Sequence, residues 1–153
     1  MGTTGDGVAA SVMPVAVAAS SRLGATEGVT NCIEIVAEPV GLVSFSGPGA
    51  GGGATSSAVL ADLLALSRGE GSTWDPLPEP AGPVDAVDPI AEPRPWFVAS
   101  TGMAQDIGER IANVAVRRSG DGFVTQALPL EELRTVLRDL DVEAALYPVL
   151  EEA

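Results

Sequence analysis

Histidine and lysine are both absent from this chain of 153 residues, and cysteine occurs once, at Cys32. Without His there is no Ser-His-Asp or Cys-His nucleophile pair and no imidazole for a metal. Without Lys there is no Schiff base and no phosphate-binding P-loop lysine. A lone thiol excludes an intrachain disulfide and a thiolate zinc cluster, so nothing calls for an oxidising compartment. Positive charge is scarce as well: eight cations, all Arg, oppose 21 acids for a net charge of -13. Such a balance offers no electrostatic grip on nucleic acid, which needs clustered positive charge. Aromatics make only 4% of the residues against 46% hydrophobic overall, so a core must be built from Ala, Val, Leu and Ile.

The amino-terminal run Val8–Ala19 is apolar and ends in small residues, like the hydrophobic part of a secretion signal. It carries Asp6 rather than a cation ahead of it and contains Pro14, and it falls short of the roughly 20 residues that span a bilayer. The expectation is a buried strand in a soluble, cytoplasmic protein with no membrane partner.

Composition divides the chain into three. Residues 8–68 are rich in Gly, Ala and aliphatic side chains. Residues 69–95 hold seven of the twelve prolines and six acids against one Arg, a composition suited to an extended, solvated linker. Residues 96–153 return to periodic hydrophobicity. In the first part Ser11–Ala18, Cys32–Ala37 and Val40–Ser46 read as strands. Thr55–Ser67 reads as a helix on the spacing of Val59, Leu60, Leu63, Leu64 and Leu66, with Thr55 or Ser56 as its cap and Arg68-Gly69 at its end. In the last part the order is strand (Trp96–Ser100), helix (Met103, Ile107, Ile111), strand (Asn113–Arg118), strand (Phe123–Leu128), helix (Leu133, Val136, Leu137, Leu140) and strand (Val142–Leu150). That β-α-β-β-α-β order is the split-βαβ arrangement of ferredoxin-like folds. The expected class is α+β: a partial mixed sheet with one helix at its end, then a small ferredoxin-like module.

Gly47-Pro48-Gly49-Ala50-Gly51-Gly52-Gly53-Ala54-Thr55 is the segment with most chemical character. Glycines let a ligand approach the backbone, and amides at a helix start face negative charge. The position about 20 residues on falls in the Pro-rich linker rather than at the end of a second strand, so a first-strand dinucleotide fingerprint does not fit. Two other features read blandly. Cys32 sits among apolar neighbours as buried filler, and Glu34, alternating with Ile33 and Ile35, reads as a solvated strand position.

Taken in order, Val29-Thr30-Asn31-Cys32-Ile33, Pro39-Val40-Gly41, Gly47-Pro48-Gly49-Ala50-Gly51-Gly52 and Ala54-Thr55-Ser56-Ser57-Ala58-Val59-Leu60-Ala61-Asp62 resemble the end of the catalytic region of homoserine dehydrogenase. Val12-Met13-Pro14-Val15 and Leu23-Gly24 fit the stretch upstream, so the resemblance spans about residues 11–68. It implies interconversion of homoserine and aspartate semialdehyde with NAD(P), within threonine and methionine biosynthesis. It implies cofactor contact at Gly51, with Gly49 and Ala50 shaping the bend and Thr55 capping the helix behind it. In many members a regulatory ACT domain of β-α-β-β-α-β order follows, which gives residues 96–153 an ACT-like reading. The amino-acid effector would lie near Ser100-Thr101-Gly102. The family's nucleotide-binding portion and its proton-donating lysine have no counterpart in this sequence. The expectation is therefore a fragment or subunit inactive alone, partnered by that missing portion or by a homologous subunit, and self-associating. The alternative is a non-catalytic module that oligomerises and senses an amino acid.

Overall fold

The computed structural model describes residues 2–4, 7–73, 75, 77, 82, 83, 85–100 and 111–150. They form a mixed α/β structure of nine strands and two helices divided into two compact units. One unit joins Met1–Val17 to Val84–Glu151; the other is essentially Ala18–Pro83.

The first unit is built on a four-stranded antiparallel sheet of β6 (Trp96–Ser100), β7 (Ala115–Ser119), β8 (Gly122–Thr125) and β9 (Ala144–Pro148), in the order β7-β8-β6-β9. The β7–β8 hairpin closes through Gly120-Asp121, where Gly120 takes φ 55°, a conformation that costs glycine little. β8 and β9 both flank β6, so the chain between them must cross over that strand. It does so through α2 (Leu130–Asp139), which buries Leu133 and Leu137. With Trp96, Val98, Ile111, Val114, Phe123 and Leu128 these two leucines form the core. The apolar stripe arises because Leu133, Val136, Leu137 and Leu140 recur at helical spacing while Glu131, Glu132, Arg134 and Arg138 occupy the other faces.

Trp96 is held at both ends of its polar inventory. Its backbone N–H donates to Thr125 Oγ1 (3.0 Å) and its indole N–H to the Leu128 carbonyl (3.0 Å). Thr125 Oγ1 in turn donates to the Gln126 carbonyl (2.8 Å), so a hydroxyl with almost no exposure is fully used. On the opposite sheet face Phe97 and Tyr147 stand in cross-strand register, with ring centroids 6.4 Å apart. A Cβ on Gly122 would come within 2.5 Å of the Phe97 ring, which makes that position glycine by contact. The outer strand β7 carries a register irregularity between Ala115 and Arg117 and exposes Arg117 and Arg118.

Two expectations for this region need correcting. Ser11–Ala18 is not a strand: Val12 is fully exposed, Pro14 offers no amide, and only Ala16 makes a bridge, parallel to Val149. The mixed sheet forms elsewhere, from β1 (Gly2–Thr4), β2 (Gly7–Ala9) and β5 (Asp85–Val87), with β2 antiparallel to β1 and parallel to β5. The Pro-rich stretch therefore contributes a short strand. The helix expected over Met103 and Ile107 lies outside the described residues, although Ile111 is wholly buried.

The second unit has a different character. β3 (Thr30–Ala37) and β4 (Gly41–Pro48) make an antiparallel ribbon, and α1 (Gly52–Ser67) follows. α1 ends in a Schellman motif: Gly69 at φ 69° lets the Glu70 amide reach the Ala65 carbonyl and its own amide reach Leu66. α2 ends the same way, with Asp141 at φ 52° and bonds from Val142 to Leu137 and from Asp141 to Arg138. Among the described residues of the second unit no hydrophobic side chain is buried.

That contrast predicts opposite responses to truncation. Leu133→Ala removes a side chain with no exposure and should cost about 2–5 kcal/mol. Leu66→Ala on α1 removes one that is 72% exposed and should change stability by no more than about 0.5 kcal/mol. Urea unfolding followed by amide exchange in each unit distinguishes the two.

Candidate functional site

β4 leads directly into the glycine segment, and α1 leaves it. The Gly49 amide donates to the Val29 carbonyl (2.7 Å), tying the bend back to the residue just ahead of β3. A Cβ on Gly49 would collide with the Asn31 side chain. Gly51 sits at φ 103° and ψ 158°, a region essentially confined to glycine. So two of the glycines are required locally, one by a neighbouring side chain and one by its backbone. Nothing stands within 4 Å of where a Cβ would lie on Gly47, Gly51, Gly52 or Gly53, which leaves that stretch of backbone open to approach.

The bend brings Gly49, Ala50 and Gly51 together at the start of α1, with Thr55 one turn in. The cap is Gly51, not Thr55 or Ser56: the Thr55 amide already bonds the Gly51 carbonyl (3.1 Å), and Ser56 Oγ turns back to the Gly53 carbonyl (3.1 Å). No side chain caps the helix and no acid lies in its first turn. An open glycine backbone at an uncapped helix start can accept an anionic group such as a dinucleotide phosphate. The residues present fit that kind of ligand along one side only: they offer backbone, with no acid or base to read a ribose or to move a proton. Among the described residues no group of His, Cys, Asp or Glu could hold a metal ion.

In the middle of the ribbon behind the bend, polar side chains are more covered than their apolar neighbours. Directly opposed residues of an antiparallel pair share a face, and the register pairs Ile33 with Phe45 and Ile35 with Val43. Ile33, Phe45 and Ile35 on that face are exposed, at 60%, 59% and 48%. Glu34 and Cys32, on the other face, are half-buried. Glu34 is thus not the solvated position expected. Its Oε1 accepts from Ser44 Oγ (3.5 Å), and Ser44 Oγ accepts from Arg22 Nη1 (2.7 Å), so a short polar chain occupies the covered side. Cys32 lies at its edge and is only partly buried rather than filling a core.

The turn leading into this ribbon is fixed by Ser21, which is 4% exposed. Its Oγ accepts the Gly24 amide (2.8 Å) and its own amide bonds the Ala18 carbonyl (2.9 Å). Ser21 was not singled out from the sequence, and Asn31 was named only within the run that carries the resemblance. The spacing Ser21-x-x-Gly24 is the signal that could have found the first.

Comparison with known proteins finds likeness in sequence over the amino-terminal part and in fold over most of the chain. Residues 1–64 match the family model described as Homoserine dehydrogenase. The homoserine dehydrogenase of Mycobacterium tuberculosis is 42% identical over 69 residues, which is 43% of this chain and 16% of that protein. That of Synechocystis is 37% identical over 71 residues, with the same coverage. In fold, a homoserine dehydrogenase from Thiobacillus denitrificans aligns over 97% of this chain and 40% of its own, at a TM-score of 0.64 and 17% identity. The proteins matched in sequence are homoserine dehydrogenases, and the match covers a segment of each. More particularly, the amino-terminal part of the chain resembles homoserine dehydrogenase, and the aligned stretch spans about a sixth of the curated relatives' length.

The geometry of the bend predicts unequal effects of adding a methyl group. Gly51→Ala forces a side chain into the glycine-only region and should cost about 1–3 kcal/mol of local stability. Gly53→Ala, helical with open space above it, should instead favour α1 by about 1 kcal/mol. Exchange rates of the α1 amides in the two variants provide the check.

Proposed function

We propose that this chain is a fragment or subunit of a homoserine dehydrogenase, interconverting homoserine and aspartate semialdehyde with NAD(P) only together with a nucleotide-binding portion carried elsewhere. The observation that carries this is the exposed apolar face of the β3–β4 ribbon, next to an uncapped glycine bend and a helix whose leucines are equally uncovered. A surface of that kind on a unit without its own core marks an interaction site. The covering partner is the nucleotide-binding portion or a homologous subunit, and the chain self-associates in its absence.

In this reading Gly49, Ala50 and Gly51 place the backbone against the cofactor, and Thr55 stands behind them in the first turn of α1. The cofactor supplies the hydride chemistry when bound. This chain's own contribution is shape: close approach at Gly51 and exclusion of side chains around it. The proton transfer that accompanies hydride movement falls to a group on the partner, since no Lys is present and the bend carries no acid.

The carboxy-terminal unit is read as an ACT-like regulatory module. Its strand order β7-β8-β6-β9, with α2 crossing from β8 to β9, supports a split-βαβ assignment. A second reading, a non-catalytic oligomerising module that senses an amino acid, is favoured by one fact: the packed core lies in this unit. Among the described residues no helix is long and apolar enough to cross a membrane, and the lone thiol suits the cytoplasm.

The deciding experiment is a chimera in which this chain replaces the corresponding part of the M. tuberculosis enzyme. The expected outcome is homoserine-dependent reduction of NAD(P) by the chimera, none by the isolated chain, and a weakened apparent cofactor affinity in the chimera bearing Gly51→Val. A folded but inert chimera, or turnover by the isolated chain, would overturn the proposal. The second reading predicts that threonine raises the thermal midpoint of the carboxy-terminal unit in the isolated chain, by ligand linkage.

A further inference from the structure

Of the ribbon side chains that share a face with Ile33 and Phe45, Asn31 alone is polar. It ends that face beside the glycine bend. The register sets Gly47 directly opposite Asn31 and puts Gly49 on the diagonal, on the same face. Gly47 raises no side chain in the way, so the Asn31 carboxamide reaches across to Gly49. Its Cγ, Oδ1 and Nδ2 are nearly equidistant from the point where a Gly49 Cβ would stand, so the plane of the group faces the glycine. Asn31 is exposed, and among the described residues its carboxamide makes no hydrogen bond. The contact is one of shape.

The bend needs such a contact. Nothing stands near the Cβ positions of Gly51, Gly52 and Gly53, so no side chain steadies them there. Glycine also has more conformational freedom to lose than any other residue. On its strand side the bend is anchored by the Gly49 amide on the Val29 carbonyl (2.7 Å). On its helix side the Thr55 amide holds the Gly51 carbonyl (3.1 Å). Asn31 lies against the residue that carries the first of these anchors. We propose that Asn31 is a positioning residue for the glycine bend: its flat carboxamide, laid on Gly49, fixes the backbone that leads through Ala50 to Gly51. The cofactor's place at Gly51 rests on the function proposed above; the hold of Asn31 on the bend does not.

Residue-resolved amide exchange on the full chain tests it. Asn31→Ala should speed exchange of the Gly49 and Thr55 amides roughly tenfold. Asn31→Asp, which keeps the planar shape, should stay near the parent. Gly49→Ala should speed the same two amides, because methyl and carboxamide compete for one place. Joined to Asn31→Ala, it should return both amides to within about threefold of the parent, since the methyl then fills the vacated space. The Gly24 and Glu70 amides, bonded elsewhere in the unit, should exchange as in the parent throughout. Equal rates in the parent and Asn31→Ala overturn the proposal, as does a double variant no slower than Gly49→Ala alone. Loss of protection at Gly24 and Glu70 together with Gly49 overturns it too, because Asn31 would then support the whole unit. In the chimera described above, Asn31→Ala should raise KM for NAD(P) roughly tenfold and leave kcat within about twofold, the pattern of lost uniform binding. An unchanged KM in an active chimera counts against positioning. An inert chimera sinks only the proposed function, because the exchange rates are read without turnover.

Discussion

Leu133 and Leu137 of α2, in one cluster with Val98, Phe123 and Trp96 of the sheet, are the contact on which the first unit depends. In a chain with so few aromatics, Trp96 supplies the largest apolar surface in that cluster, and it can be buried only because both of its N–H groups find acceptors. Thr125 and the Leu128 carbonyl meet that need from β8 and the loop that follows it. Sheet order, helix crossing and the polar satisfaction of the core thus come down to one layer of side chains. A core this small is characteristic of short domains, which gain stability in proportion to the surface they cover.

The other unit is governed by the opposite circumstance. Its ribbon pairs in register along its whole length and its helix has a well-formed carboxy-terminal end, yet its aliphatic side chains face outward. Local rules alone shape it: Gly69 closes α1, Ser21 closes the entry turn, and Gly49 and Gly51 set the bend. Elements specified locally but left uncovered are the pattern expected where the burying surface belongs to something else. The inversion on the ribbon, with Glu34 covered and Ile33, Ile35 and Phe45 bare, expresses the same logic at the scale of single residues.

Much of this was legible in the sequence wherever period and punctuation agreed. Trp96–Ser100, the Gly120 turn, the leucines of α2 and the Arg68-Gly69 end of α1 follow from alternation, helical spacing and glycine chemistry. The glycine bend and its family resemblance were legible because several motifs occur in a fixed order. What was not legible depends on long-range pairing. Ser11–Ala18 has the composition of a strand but makes only one rung, because Pro14 interrupts it and its partner lies more than a hundred residues away in the chain. β5 hides within a Pro-rich stretch for the same reason. The polarity of β3 misled differently: alternation reveals that two faces exist, and which one is covered depends on what lies against them. Thr55 and Ser56 look like caps by residue type, but the helix starts earlier, at Gly52, with Gly51 as its cap in a conformation that only glycine takes readily.

The irregular outer strand of the four-stranded sheet has a consequence for how this protein behaves when crowded. An open sheet border is a template on which stray extended segments can grow. At β7 the offset between Ala115 and Arg117 breaks the even spacing of that border, and the exposed Arg117 and Arg118, consecutive along the strand and so on its two faces, would repel an identical border brought alongside. A border that is both offset and charged in this way is a poor template for an added strand, so the four-stranded sheet is guarded on that side by its own irregularity.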